Sequence, residues 1–310
     1  RAQGPRLREL NVTTSSYGTP LPRHFGRMRV AGSVIWATEL TESSETRGGK
    51  NQPSVTVYSY SASFAVALAS RPILGIGRIW ADGKLLRGSA GDPQVGRQMR
   101  AYTGRRDQPV DPLLAAVEGA GRCPAYRGLA YVVFENLDLS EYYNRLPALT
   151  FEVIADETFS LENLVAEITE DTEAAVPLDG LEGFSCDGPL ADTLQALDTA
   201  FRLDADASGE RLTITREHQQ THPIALPEPA VAVEDGDFGG ASGFVRARAP
   251  LLARPPEMLR YYDPARDYLP GLQRAAGRPA PGQPRTLELE AAMSAASARR
   301  IIEGARSRAA

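Results

Sequence analysis

Histidine and cysteine are almost missing from this chain, with three of the first and two of the second in 310 residues. Zinc sites and thiol catalysis are built from clusters of these residues, so both chemistries begin with few candidates. The nearest thing to a ligand pair is His218 and His222, four apart as on one face of a helix. The preceding RLTITRE reads as a strand, where residues four apart lie about 13 Å from each other, too far to share an ion. Pro223 follows directly, and a solvated loop is expected. Cys123 and Cys186 are widely separated, lack metal-type spacing and are expected as buried free thiols, with a disulfide as the lesser alternative. No metal, cofactor or catalytic residue is expected.

An apolar run of 18 residues is also lacking, so no membrane-spanning helix is expected. Nor is there a basic excess: 34 Lys and Arg stand against 39 Asp and Glu, a formal net charge of −5. A general grip on nucleic acid needs a surface that neutralises phosphates, and this balance argues against one. The Arg-rich start (Arg1, Arg6, Arg8) and end (Arg299, Arg300, Arg306, Arg308) read as solvated faces. Gly75-Ile-Gly77 lacks the third glycine of a phosphate loop and precedes a strand, whereas that mechanism needs a helix N-terminus. No Gly-x-Ser-x-Gly elbow appears, and Glu167, Glu170, Asp171 and Glu173 read as a solvated helix end.

What the chain does have is β-pattern. Val55 to Leu86 organises the rest: Thr56, Tyr58, Tyr60, Ala62 and Phe64 alternate with Val55, Val57, Ser59, Ser61 and Ser63. Alternation of this kind marks a strand with two different faces. It becomes apolar on both faces from Phe64 to Ala69, as a strand does on entering a core. After Arg71-Pro72 a second apolar strand runs through Ile73, Ile76, Ile79 and Trp80 to Asp82-Gly83, a tight hairpin turn.

Upstream, a strand from Arg27 to Leu40 is interrupted at Ala31-Gly32-Ser33, and the polar Thr41–Pro53 reads as a mobile hairpin tip. Downstream come a strand at Gln98–Tyr102, a helix begun by Asp111-Pro112, and strands around Leu129–Phe134 and Leu149–Ile154. Ser160 caps a helix with Leu161, Leu164, Val165 and Ile168 on one face; Pro189–Phe201 forms another. Strands at Arg202–Ala205 and Arg211–Arg216 then make a hairpin. Residues 222–256 read as connection with one short strand, Ala230–Val233. Strands at Glu257–Tyr262 and Thr286–Leu289 flank a loop-like Gly271–Pro284, and Ala291–Arg308 is a helix with Met293, Ala296, Ile301 and Ile302 as its apolar stripe. The fold expected is α+β and mainly β, divided into a β-rich unit 1–155, a small α+β module 156–220, and a linker with the start of a second β-rich unit, 221–310. The chain begins at Arg1 and stops within a helical pattern, so it is expected to be part of a longer polypeptide with further carboxy-terminal domains.

Three long stretches, GRMRVAGSVIWATEL (Gly26–Leu40), YSASFAVALASRPILGIGRIWADGKLL (Tyr60–Leu86) and PAYRGLAYVVFENLDLSEYYNRLPALTFEV (Pro124–Val153), carry a family resemblance. With Phe159–Arg216, Glu257–Gln273 and Ala296–Ala309, the chain resembles the amino-terminal region of the large tail-tip protein of gene transfer agents and related siphophages. Those proteins are distant relatives of the lambda tail-tip attachment protein and of the baseplate hub of contractile tails. The resemblance implies β-barrel-like hub domains in a homotrimer that closes the tail tube at the tail tip or baseplate of the virion. It implies as partners a distal tail protein, other tail-tip proteins and the tape measure protein, with DNA only in transit and a host receptor met by regions outside this chain. One departure matters: gene transfer agent members carry a glycosidase-like barrel between these regions, whereas here Phe151–Glu157 leads almost directly into the helix at Ser160. A structural protein is therefore expected; a cell-wall hydrolase or a glycan-binding module is the alternative. Trp36, Tyr58, Tyr60, Trp80, Tyr142 and Tyr143 are the candidate subunit-interface residues.

Overall fold

A computed structural model of the chain describes residues 2–3, 20–47, 55–88, 99–119, 121–174, 176–216, 225, 255–279 and 281–309. The chain opens with β1 (Ala2–Gln3) and β2 (Arg23–Ala31), then bends at Gly32 into β3 (Ser33–Ala37). β4 (Thr41–Arg47) pairs with the long β5 (Val55–Ala69), and β6 (Gly75–Ala81) with β7 (Lys84–Arg87). The β6–β7 turn places Asp82 and Gly83 at φ 49° and 78°, the positive angles a two-residue hairpin needs. β8 (Met99–Thr103), α1 (Pro112–Glu118), β9 (Ala130–Asp138) and β10 (Leu149–Ile154) follow. Next come α2 (Leu161–Ile168), β11 (Thr172–Ala174), β12 (Leu181–Cys186), α3 (Leu190–Phe201), β13 (Leu203–Asp206) and β14 (Leu212–Arg216). The last stretch holds β15 (Pro256–Asp263), β16 (Leu269–Arg274), β17 (Arg285–Met293) and α4 (Ala295–Ala309). Among the described residues strands take 46% and helices 20%, so the fold is α+β and mainly β.

Among the described residues three sheets result. An eight-stranded sheet runs in the order β16-β15-β17-β12-β2-β10-β6-β7. A six-stranded sheet is built on β5, with β9 and then β8 on one side and β3 and β4 on the other, while β1 pairs with β5 at Val55 and Thr56. β11, β14 and β13 form a small third sheet. Neither large sheet closes into a barrel among the described residues, because β16 and β7, the end strands of the larger one, do not pair with each other. The division at 155 and 220 does not separate these sheets. The largest draws β2, β6, β7 and β10 from the first segment, β12 from the second and β15–β17 from the third.

Side-chain alternation along β2 explains how one strand serves two cores. Phe25 points to one face, where α2, α3 and α4 pack with Phe184, Leu259, Leu289 and Ile302. Met28 and Val30 point to the other, against Phe64, Phe134 and Phe151 between the two large sheets. Phe64 and Phe134 stack with ring centroids 5.0 Å apart. Each such ring is fully buried, and burial of this extent stabilises by roughly 1.5–3 kcal/mol per side chain. Gly32 marks the point where the chain leaves one sheet for the other, and a Cβ there would lie 2.1 Å from Val66 Cγ1. The interrupted strand read at Ala31–Ser33 is this crossing.

Several expectations need correction. Thr41–Arg47 is a strand, because β5 offers it a full antiparallel ladder despite its polar side chains. Within the loop-like Gly271–Pro284, the first four residues belong to β16, an edge strand that tolerates Pro270. The last helix starts at Ala295; Ala291–Met293 complete β17, and the apolar stripe is Ala298, Ile301, Ile302 and Ala305, with Ala296 exposed. Strands β11 and β12 carry no alternating pattern of their own in the sequence. The Ala230–Val233 strand and the pair His218 and His222 fall outside the described residues.

Candidate functional site

Three buried polar networks, centred on His24, Glu152 and Asp111, concentrate the unusual chemistry. The first joint is His24 on β2, 2% exposed. Its Nε2 lies 3.0 Å from the Leu68 carbonyl of β5, so this nitrogen carries the proton and donates. Nδ1 is then the acceptor for the Ser185 hydroxyl of β12, at 2.8 Å. Three strands from two sheets thus meet on one imidazole. Burial, with the nearby Arg71 guanidinium adding to it, pushes the His24 pKa down to about 4. Arg71 donates to the His24 carbonyl and forms a two-point pair with Asp156, at 2.9 and 3.1 Å. A serine on a histidine is also the start of a nucleophile dyad, and a cleft of about 290 Å³ lined by His24, Ser185, Tyr262 and Glu290 lies beside it. Through these contacts the imidazole ties β12 and β5 to β2, and its burial leaves it only weakly basic.

The second joint centres on Glu152 of β10, 7% exposed. Arg78 on β6 donates to it from the backbone nitrogen, Nε and Nη2, each at 3.0 Å, and the Tyr268 hydroxyl donates at 2.9 Å. Burial alone would raise the Glu152 carboxyl, but these hydrogen bonds outweigh it and hold it below the usual range. The carboxylate fits because position 77 is glycine: a Cβ there would sit 2.4 Å from Glu152 Oε2. Arg78 also pairs with Asp267, and Arg29 donates to the Asp267 carbonyl while lying 4.0 Å over the Trp80 ring. The turn at Asp267-Tyr268, both at positive φ (53° and 59°), is thereby clasped onto β6 and β10.

A third network docks α1 on the six-stranded sheet. Asp111, fully buried, accepts from the Leu113 and Leu114 nitrogens as the helix N-cap, and also from Arg100 and the Tyr102 hydroxyl. Trp36 Nε1 donates to Glu118 at the other end of α1 (2.9 Å).

The candidate interface aromatics separate by burial. Trp80 and Tyr60, 2% and 3% exposed, are occupied by the chain's own core: Trp80 lies beneath Arg29 and Arg78, and Tyr60 donates to Glu42 across the β4–β5 pair. Trp36, Tyr58 and Tyr142 are half-buried. Tyr143 is 88% exposed. It and Asn144 adopt φ 56° and 57°, a left-handed pair fixed by Tyr142 and Asn144 nitrogens donating to the Leu139 carbonyl and by Arg145 pairing with Asp82. Cys123 and Cys186 are free thiols; Cys186 is buried, whereas Cys123, expected to be buried, is only half-buried. No cluster of three or more His, Cys, Asp or Glu able to hold a metal occurs among the described residues.

The comparisons fall in one class. Residues 190–310 match a family described as "Putative phage tail protein". The fold is similar to a chain in the structure titled "Virion of native gene transfer agent (GTA) particle". That likeness has a TM-score of 0.70 and 28% identity, covering 98% of this chain and 76% of the other. No curated protein matches the chain. Its likeness is to tail-type structural proteins of phage-like virions.

Proposed function

We propose that the chain is a hub subunit of a tail tip or baseplate, acting as a homotrimer that closes the tail tube. The reading is carried by the likeness to a gene transfer agent virion chain, which extends over 98% of these residues and includes both large sheets. The hub meets a distal tail protein on one side and other tail-tip proteins on the other, with the tape measure protein inside the tube. DNA passes in transit, which suits a chain with net charge −5 that slides past phosphates without gripping them. Host recognition belongs to modules outside these residues. The role is structural: the polar networks at His24, Glu152 and Asp111 tie elements together, and burial of Trp80 removes one of the two tryptophans a glycan-binding face would use. Quantitative mass spectrometry of purified particles tests the proposal. Three copies per tail are expected, and absence from the particle, or a copy number matching the tube or capsid, would overturn it.

A further inference from the structure

Elements far apart in the chain close one small cleft, of about 190 Å³. The turn before β12 brings Asp179 and Gly180 to it, α4 brings Ser297 and Arg300, and β14 ends there with Arg216 beside Phe201, the last residue of α3. Gly180 has φ 97°, and a Cβ on it would lie 2.9 Å from Ser297 Cβ and 3.7 Å from Arg300 Nη2. The turn rests directly on α4 because this residue has no side chain.

Ser297, 8% exposed, has both acceptor positions of its hydroxyl filled: Ser294 Oγ donates at 3.0 Å and Arg300 Nη2 at 3.3 Å. Its own proton is left to donate elsewhere. That serine holds Arg300 in place, and the Phe201 ring, 5.6 Å away, seats Arg216. Among the described residues neither guanidinium forms a salt bridge with a carboxylate, although Asp179 lines the same cleft.

We infer that this cleft binds inorganic phosphate, with Arg216 and Arg300 as a cationic clamp and the Ser297 hydroxyl as a third donor. The guanidinium fork matches the paired oxygens of a phosphate, and such charge-assisted hydrogen bonds are about twice as strong as neutral ones. Asp179 sets the selectivity. Its carboxylate accepts the proton that monohydrogen phosphate keeps at neutral pH, and it repels an oxyanion that has none, such as sulfate or the phosphodiester of DNA. DNA therefore passes this site without being held by it.

Titration calorimetry of the purified 310-residue chain with sodium phosphate, sodium sulfate and a short DNA duplex, at neutral pH and a constant ionic strength of about 0.1 M, tests the inference. Phosphate is expected to bind, and Arg216→Ala and Arg300→Ala each to weaken it about tenfold or more. Arg216→Lys and Arg300→Lys keep the charge and the stem but lose the fork, and are expected to weaken it less. Thermal midpoints in chloride equal to wild type confirm that the variants fold. Sulfate and the duplex are expected to bind about tenfold more weakly than phosphate, and Asp179→Asn to bring sulfate level with phosphate. A wild-type chain that takes up no phosphate at about 10 mM, or whose binding survives both alanine substitutions, overturns the site. Sulfate bound as tightly as phosphate by the wild type overturns the role of Asp179, and a duplex bound as tightly, and lost with the same arginines, overturns phosphate as the ligand.

Discussion

Acid should loosen the joint at His24 in a way that can be calculated. The imidazole has an unperturbed value of 6.5 and is pushed down to about 4 in the fold. Between those values the unfolded chain binds a proton that the folded chain refuses, so stability falls as pH falls. The contribution is whole above pH 6.5, is reduced by about 2 kcal/mol at pH 5, and is reduced by about 3.4 kcal/mol well below pH 4. The charged groups facing the ring are Arg71, which opposes a second cation there, and its partner Asp156. Urea unfolding of the wild type and of His24→Gln, at pH 7.5, 6, 5 and 4.5, isolates the effect. Glutamine offers a donor and an acceptor but no titration. Carboxylates such as Asp111 and Glu152, whose folded values are lowered, also lose their contribution as pH falls through those lowered values. They do so equally in both proteins and cancel in the difference. The gap between the two curves should change by about 2 kcal/mol from pH 7.5 to pH 5. Parallel curves would refute the assignment of a neutral, buried imidazole.

Gly77→Ala should displace the Glu152 carboxylate and cost about 3 kcal/mol, as breaking a buried pair does, while Gly75→Ala on the same strand, where a Cβ meets nothing within 4 Å, should be tolerated. Denaturant midpoints of the two variants provide the contrast, and equal losses would sink it. Asp111→Ala removes the α1 cap and leaves Arg100 and Tyr102 facing its empty place, with a loss of about 3–5 kcal/mol by the same unfolding assay. Gly32→Ala should cost about 1–3 kcal/mol through overpacking against Val66; a midpoint at or above wild type would show that the crossing has room.

Much of the β framework is legible in residue patterns: β5, β6, β9 and β10 alternate or run apolar, and Asp82-Gly83, Asp111-Pro112 and Ser160 punctuate as their chemistry demands. What escapes reading is whatever depends on a partner distant in sequence. β4 has no apolar face and is a strand because β5 lies beside it. β12 buries Leu181, Phe184 and Cys186, with a register shift between Leu181 and Gly183, so no simple period survives. The Glu152 joint gathers residues 74 and 116 positions away, and nothing local to Glu152 distinguishes it from a solvated carboxylate. The aromatic residues chosen for an interface show the same limit. Tyr58 and Tyr60 sit on one strand with similar neighbours, yet Tyr60 is core and Tyr58 is half-buried, a difference set by where β9 stops pairing.

The eight-stranded sheet also has a history in time. β12 lies between β2, made before it, and β17, which ends at Met293, 107 residues after Cys186 (293 − 186). At roughly 5–20 residues per second, a ribosome takes about 5–20 s to deliver that last neighbour. During that interval β12 presents one unsatisfied backbone edge and the apolar face that α4 will later cover. Chains cut short of β17 should therefore gather into aggregates rather than remain as soluble halves, and the nascent chain is at its most vulnerable to chaperone capture and proteolysis in the same window.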